Sequence, residues 1–545
     1  MSDEIYLKYK PRPQQEELLS FLQKGVKDQK KFFLIQAPTG SGKSFVPVMF
    51  ADWYQKEFGR RIKIDIITHT KSLQTQYVKD FEFIRDLRGK NNYVCDTFNC
   101  TCDEGQVISQ STKTKCFDCP YKIASGEYIA GNIALTNYHM FNSYWMYVPF
   151  VFNNAPYNER ILFIDEAHLY EENFCSFIET RISPRIMSRL GIVDSKLISK
   201  LNQISTVQEV YSFLRSDIIS IALTNKKELM QQIKATQDTK EAQDLIKRWQ
   251  YIDEWVCRVE RFCDDYEDGN TQNWILEQEK LNDKKNPDQI IIIKPVWGKD
   301  YIQKYIWNKY NYVVLMSATI LEPTVFSKMM NIEFKDAQYI NLKHTFPVKK
   351  RPIVYMNTGK LSRKFIDATL PKMAKTIEKI LYIHRGHKGI IHTANYNIAN
   401  EIVERINSPR LLIHETDTRE DVYEYHLTSK EPTVLISPSM FTGVDLKDDL
   451  SRFQIIAKIP YPYLGSISVQ KRKELIPFWY NWKTMNDLIQ SYGRSIRHVD
   501  DWAITYILDG NFDWFFRQNS KYFPDYFHNA LKEGPIVIEK LKKRK

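Results

Sequence analysis

Two short runs in this sequence carry recognisable chemistry. Ala37-Pro38-Thr39-Gly40-Ser41-Gly42-Lys43-Ser44 is a phosphate-binding loop, with Ala where such loops usually open on Gly. Gly40 and Gly42 let the backbone curl until its N–H groups converge on phosphate oxygens, with Thr39 and Ser41 in the same turn. Lys43 adds a point charge for the β- and γ-phosphates, and the Ser44 hydroxyl can ligate Mg²⁺. A following helix would aim its positive end at the anion. The second run is Asp165-Glu166-Ala167-His168, directly after the apolar stretch Arg160–Ile164. Adjacent carboxylates at a strand end suit metal and water. Asp165 can hold Mg²⁺ and Glu166 can take a proton from an attacking water. His168 completes the run and counts with its catalytic group.

A third group is made of thiols. The chain has eight cysteines, and Cys95, Cys100, Cys102, Cys116 and Cys119 fall within one short segment. Nothing at the start of the chain reads as a secretory signal, so a reducing compartment is expected, where clustered cysteines bind metal more often than they pair. Soft thiolates suit an iron–sulfur cluster or zinc, and the spacing does not choose between them. Cys116-x-x-Cys119 is a natural chelating pair. Cys175, Cys257 and Cys263 read as packing residues.

These groups need a frame. Lys31–Ala37, Ile62–Thr68 and Arg160–Ile164 are strand-like, and the loop between the first strand and its helix has the strand–turn–helix form. Leu169–Lys285 is rich in Glu, Lys, Gln and Leu, has almost no Gly or Pro, and has helical periodicity. Strand signals return at Ile290–Ile293 and Tyr312–Thr319. A Pro-containing stretch at Phe346–Pro352 reads as a linker. Further strands are expected at Gly389–His392, Thr433–Ser437, Phe453–Lys458 and Ala503–Leu508. Strands alternating with helices predict an α/β chain with parallel sheets.

Composition is consistent with this. The 545 residues allow three to four domain-sized units. With 43% hydrophobic and 26% charged residues, collagen-like, mucin-like and wholly disordered chains are excluded. No apolar run is long enough for a membrane helix. The net charge of +11 permits a polyanionic partner without requiring one.

The remaining motifs carry a resemblance. Arg12-Pro13-Gln14-Gln15 resembles the adenine-sensing Q motif, with Arg12 and Gln15 as its nucleotide contacts. Thr68–Gln76 resembles motif Ia, Ser317-Ala318-Thr319 motif III, and Ser439–Leu446 motif V, followed by Lys458-Ile459-Pro460-Tyr461-Pro462. Gln490–Arg497 resembles motif VI, in which Gln490, Gly493, Arg494 and Arg497 can share one helix face. Two arginines reaching across a cleft would stabilise charge on the γ-phosphate. In this order the motifs resemble the XPD/DinG family of iron–sulfur superfamily 2 DNA helicases, over nearly the whole chain. One departure is Thr442, where that family usually has Glu. Gly443 and Asp445 are retained as nucleotide contacts.

The resemblance implies an α/β fold of two RecA-like P-loop motor domains, the first carrying a cysteine-rich Fe–S insert and an all-helical arch. The expected divisions are 1–91, 123–168 and 288–345 for motor 1, 92–122 for the Fe–S insert, 169–287 for the arch, and 346–545 for motor 2. It implies ATP, Mg²⁺ and a [4Fe–4S] cluster on Cys95, Cys102, Cys116 and Cys119, with Cys100 as an alternative ligand and zinc as an alternative metal. It implies 5′→3′ unwinding of tailed or forked duplex by a monomer that grips single-stranded DNA without sequence preference. Thr70, Gln74, Asn137, Tyr138 and Thr393 are the candidate DNA contacts. An RNA helicase, a non-unwinding translocase and a non-hydrolysing scaffold are the rival readings. The compact length points to a bacterial or phage enzyme acting in the cytoplasm, and the start close to the Q motif leaves no room for an N-terminal exonuclease.

Overall fold

A strand in a parallel sheet is covered on both faces, so its apolar run is continuous rather than alternating. A computed structural model describes residues 10–38, 40–112, 116, 118–147, 157–236, 239–280, 289–362, 364–415, 417–438, 446–496 and 498–533. In it the apolar runs form two seven-stranded sheets. The first contains β1 (Phe32–Gln36), β2 (Lys63–Thr68), β3 (Arg85–Leu87), β4 (Ile133–Asn137), β5 (Arg160–Asp165), β6 (Tyr312–Ser317) and β7 (Ala337–Asn341). Their spatial order is β7-β1-β6-β5-β2-β4-β3, with every pairing parallel. The second contains β8 (Ile353–Tyr355), β9 (Gly389–His392), β10 (Leu411–Ile413), β11 (Val434–Ser437), β12 (Phe453–Ile456), β13 (Ile504–Ile507) and β14 (Leu531–Glu533). Its order is β10-β11-β9-β12-β13-β8-β14, again all parallel.

Successive residues of one strand feed opposite faces. Phe33, Ile35, Ile64, Ile66 and Phe163 pack with helices Pro13–Lys27 and Val46–Phe58, while Leu34, Leu162, Ile164 and Leu315 pack on the other face. The register places Gln36 of β1 beside Ser317 of β6, and Met316 of β6 beside Asp165 of β5. The carboxyl ends of three neighbouring strands therefore meet at one place, where open α/β sheets bind ligands.

Two excursions leave the first sheet. The cysteine segment follows β3: an antiparallel ribbon of Val94–Cys95 with Cys100–Thr101, then helices Cys102–Thr112 and Pro120–Ala130. The second follows β5 and is helical over most of its length, up to the 29-residue helix Thr239–Glu267. At its foot the expectation of an all-helical arch is corrected. Thr180–Ile182, Gln289–Pro295 and Trp274–Lys280 form a three-stranded antiparallel sheet, with Gln289–Pro295 in the middle. Ile290–Ile293 thus belongs to the arch foot and not to motor 1, where the 288–345 division had placed it. Being the central strand buries Ile291, Ile292 and Ile293, so the run imitates a strand of a parallel sheet. The two excursions touch: helix Cys102–Thr112 packs on Thr239–Glu267, with Lys247 Nζ 3.9 Å from Glu104 Oε1.

The two sheets belong to two domains joined by an apolar contact. Helix Trp479–Tyr492 of the second buries Trp479, Trp482 and Met485. Trp482 Nε1 donates to the Ile320 carbonyl at 2.8 Å, and the Trp482 ring lies 6.2 Å from Phe326. Among the described residues no helix is long and apolar enough to cross a membrane.

Five imidazoles are buried among the described residues, those of His168, His384, His392, His414 and His426. Burial holds His168 and His392 at about 3 and His426 at about 4, against an ordinary value of 6.5. Their folded values lie below the unfolded one, so below pH 6.5 the unfolded chain takes up more protons. Their contribution to stability is complete above pH 6.5 and is lost as pH falls toward 4. Denaturant midpoints should fall between pH 7.5 and pH 5; equal midpoints would contradict the burial of these rings as neutral groups.

Candidate functional site

The phosphate loop leaves β1 and is held from beneath. Gly40 and Gly42 have φ of +80° and +78°, a region glycine enters without strain. Gly42 has a second constraint, because a Cβ there would lie 2.3 Å from Gln15 Nε2. Gln15 Nε2 donates to the Gly42 carbonyl (2.8 Å), and Arg12 Nη1 donates to the Gly40 carbonyl (3.2 Å). Gln15 Oε1 accepts from the Arg12 N–H at 2.8 Å. The two residues expected at adenine therefore grip the loop itself. Ser41 Oγ is buried and has no hydrogen-bond partner among the described residues. A buried orphan hydroxyl in a glycine-rich loop fits an anion's oxygen.

Across the loop stand the carboxylates. Lys43 Nζ is 3.1 Å from Asp165 Oδ1 and 3.6 Å from Glu166 Oε1. The Tyr77 hydroxyl donates to Asp165 Oδ2 (3.3 Å) and also bonds Ser44. Burial raises the Asp165 carboxyl, Lys43 pulls it down, and Glu166 pushes it up again, with a net rise. Glu166 sits at φ +56°, strained for a side chain of this size, and its N–H donates to Asp165 Oδ1 at 3.0 Å. The strain turns the chain sharply enough to present both carboxylates at the end of β5.

From there a line of hydrogen bonds crosses to motor 2. His168 Nδ1 lies 2.8 Å from Ser317 Oγ and 3.4 Å from Glu166 Oε2. The Thr319 N–H donates to Ser317 Oγ (3.0 Å). Thr319 Oγ1 accepts from Gln490 Nε2 (2.8 Å) and from Asn486 Nδ2 (2.9 Å). Arg494 Nη2 donates to Gln490 Oε1 at 3.2 Å. Burial is the main reason that His168 stays neutral; Glu166 opposes this, while Lys483, Arg494 and Lys43 reinforce it. His168 is thus a positioning residue that reads both motors. A small cleft opens beside this line, lined by Pro38, Thr319, Arg351, Gln490, Gly493 and Tyr526 among others.

Motif VI differs from its expected geometry. Helix Trp479–Tyr492 ends at Gly493, its C-cap, so Arg494 lies in the turn beyond and does not share a helix face with Gln490. Asn486, which the sequence reading missed, is the residue that does. It sits one turn before Gln490, and the i, i+4 spacing was its available signal. Thr39, Gly443, Asp445 and Arg497 lie outside the described residues, as does Thr442.

The thiols gather around the ribbon. Cys95 Sγ is 3.5 Å from Cys116 Sγ, and Cys119 Sγ is 3.9 Å from Cys102 Sγ. Cys95 and Cys102 are buried, Cys116 and Cys119 half-buried. Cys100 faces Cys95 across the ribbon and directs its Sγ at the Thr101 carbonyl, 3.4 Å away. Burial pushes the Cys102 thiol up to about 11. Burial also opposes ionisation of Cys119, but the N–H groups of Lys122 and Tyr121 and neighbouring thiols lower it overall. The donor set fits a soft metal. Among the described residues no three of these sulfurs lie within 4.8 Å of one another, so the two separations do not choose between zinc and an iron–sulfur cluster.

Three expected DNA contacts are corrected. Tyr138 is 1% exposed and donates to the Asp165 carbonyl, so its ring is not free to stack on a base. Gln74 is buried and donates to Asp86 and to the Leu87 carbonyl. Thr393 is buried, its hydroxyl donating to the Asn395 carbonyl at 3.1 Å. Thr70 and Asn137 are half-buried at the ends of β2 and β4. Thr70 caps helix Lys71–Asp80 by accepting from the Leu73 N–H, and Asn137 Oδ1 accepts from the Met140 N–H.

Known proteins share this build. A family model described as Helicase C-terminal domain matches residues 377–530, and one described as Type III restriction enzyme, res subunit, matches 8–190. A solved structure described as XPD_Helicase superposes with a TM-score of 0.65 at 16% identity, covering 96% of this chain and 100% of that one. The structure of S. tokodaii Xpd4 gives 0.56, also at 16% identity, over 96% and 100%. The fold is similar to that of these solved XPD structures over nearly the whole chain. ATP-dependent DNA helicase CHL1 of Scheffersomyces stipitis is 23% identical over 252 residues, covering 38% of this chain and 30% of the relative. CHL1 of Candida albicans is 30% identical over 96 residues, covering 14% and 11%. The chain spans less than a third of the length of these curated relatives. Both are yeast proteins and lend nothing to a bacterial or phage source.

Thr319 joins the two domains through one hydroxyl. Thr319→Val keeps the volume and removes the acceptor of Gln490, while Asn486 keeps the Thr319 carbonyl at 2.9 Å. Nucleic-acid-stimulated ATP turnover should fall by about tenfold or more, with nucleotide affinity changed by less than about twofold. Unchanged turnover would mean that the line carries no coupling.

Proposed function

We propose that the chain is a DNA-stimulated ATPase that travels 5′→3′ on single-stranded DNA and parts the duplex ahead of it. The observation that carries this reading is the line His168–Ser317–Thr319–Gln490, which ties the Lys43–Asp165–Glu166 site to the second motor. A nucleotide site so connected can convert phosphate chemistry into domain motion.

In this reading the loop amides around Ser41 and Lys43 bind the phosphates. Ser44 and Asp165 would hold Mg²⁺, which would supply positive charge for the phosphates. Lys43 exchanges its carboxylate partners for phosphate oxygens. Glu166 then accepts a proton from the attacking water. Arg494 supplies charge from motor 2, which is why hydrolysis needs both motors together. Arg497, Gly443 and Asp445 keep the nucleotide roles that the resemblance implies. The intact Lys43–Asp165–Glu166 set argues against the scaffold reading, and the cysteine insert argues against an RNA helicase.

Cys95, Cys102, Cys116 and Cys119 would hold the metal, with Cys100 the reserve ligand. The resemblance implies [4Fe–4S], with zinc the alternative for the same soft donors. Either would supply the folding energy of a segment too small for its own core. The insert and arch together enclose the strand, which binds without sequence preference as tailed or forked duplex, to a monomer. The site of action is wherever the DNA is: bacterial or phage-infected cytoplasm, or, on the yeast relatives, the nucleus.

Lys43→Ala should lower DNA-stimulated ATP turnover at least about 100-fold. A parent chain that single-stranded DNA does not stimulate would restore the scaffold reading. Unwinding should require a 5′ tail; preference for a 3′ tail reverses the polarity. Anaerobically purified chain should contain about four iron atoms for the cluster or about one zinc for the alternative. Cys119→Ser should lose unwinding while retaining much of the ATPase; persistent unwinding would remove the insert from strand separation.

A further inference from the structure

The segment after β12 is built unlike its surroundings. Tyr463 is 79% exposed, and Leu464 and Ile467 are 45% and 44% exposed. Three large apolar side chains in five residues is an exposed patch that needs a reason. The loop is not loose. The Tyr480 hydroxyl donates to the Pro462 carbonyl (3.2 Å), the Ser466 N–H to the Tyr463 carbonyl (3.1 Å), and Gln470 Nε2 to the Leu464 carbonyl (2.7 Å). Tyr461 stacks on Tyr480 with centroids 6.1 Å apart. Gly465 lies under the Tyr463 ring, and a Cβ there would come 2.3 Å from Cζ. The ring is thus seated over a glycine and turned outward.

The arm behind the tip is tied to the rest of the machine. Ser466 Oγ donates to Glu277 Oε1 of the arch foot at 3.1 Å. The next helix, Ile467–Leu475, carries Arg472, which forms a buried bidentate pair with Glu171: Nη1 to Oε2 2.9 Å, Nη2 to Oε1 3.2 Å. Arg472 also lies over Trp297 and Trp479. Glu171 opens the helix that follows His168, and its neighbour Glu172 pairs with Lys483 at 3.0 Å. The arm behind the tip therefore joins the second sheet's domain to the arch foot and to the helix that follows His168.

The tip's size and charge select the occupant. A stable protein partner would bury about 800 Å² on this side, far more than three side chains present. One base needs only one flat ring. Lys458 precedes the tip, and Lys471 and Lys473 follow it, which suits a phosphate backbone. We propose that the Tyr463–Leu464 tip is a stacking contact for an unpaired base of single-stranded DNA. This rests on the reading of the chain as a DNA-directed motor.

The test is binding of labelled oligo(dT), and of an abasic strand of equal length, to the nucleotide-free full chain. Tyr463→Ala should weaken oligo(dT) binding by about 5- to 100-fold, and Tyr463→Phe by less than about twofold. The salt dependence should keep its slope, since no phosphate contact is removed. Removing the bases should weaken the parent more than Tyr463→Ala, by that same factor, which a merely structural role of the ring would not produce. A variant that binds both strands as the parent does, or a Tyr463→Phe as weak as Tyr463→Ala, overturns the stacking contact alone. A parent that binds neither strand overturns the motor reading and this inference with it.

Discussion

A lysine held against two carboxylates inside a protein keeps its place only while each charge has a partner. Lys43, Asp165 and Glu166 are so placed, and much of the first motor follows from the need to bring them together. The P-loop must leave β1 and the carboxylates must end β5, with β6 between them. The shared register of the three strands delivers this. Gln15 and Arg12 then fix the loop's carbonyls, and the left-handed turn at Glu166 points the carboxylates at the lysine. The arrangement is self-satisfied, yet it is ready for exchange: a phosphate with its cation offers each group a better-matched partner.

The contact between the motors combines two kinds of interaction. Trp482 and its neighbours give non-directional apolar burial, which tolerates small rotations. Thr319 with Gln490 and Asn486, and Glu171 with Arg472, give directional contacts that do not. A buried ion pair adds little net stability over an apolar substitute, but leaving one partner alone is strongly unfavourable. The Glu171–Arg472 pair therefore defines which relative placements of the motors are permitted more than how firmly they adhere.

Much of this was legible in the sequence, for reasons that differ by element. The P-loop and the Asp165-Glu166 pair show themselves because phosphate and metal chemistry restrict residue type at fixed spacing. Interior strands such as β1, β5 and β6 show as continuous apolar runs. The strands that were missed are mostly edges: β3 and β7 of the first sheet, β10 and β14 of the second. Edge strands are short and half-exposed, so Arg85–Leu87 and Leu531–Glu533 look like loop. Ile290–Ile293 misled for the opposite reason, since the middle of a small antiparallel sheet is as dry as the middle of a large parallel one. Tyr138 and Gln74 showed a different limit. Residue type announces that a ring or an amide could meet DNA, but only packing reveals that each is already committed inside the sheet. Asn486 was passed over because its role exists only across the two motors, with no mark in the local pattern beyond its spacing from Gln490.

The meeting of the two excursions has a topological consequence. Chain leaves the sheet after β3 and again after β5, and helices Cys102–Thr112 and Thr239–Glu267 touch far from both exits in sequence. Sheet, cysteine segment and arch thus make a closed circuit in which one junction is not covalent. The Lys247–Glu104 pair there is exposed and long and adds little to the packing of the two helices. The thiol-rich ribbon on one side and the strand-built foot on the other are the stiffer members. Because the junction also holds the packing of the two helices, neither excursion can swing away from the sheet without carrying the other.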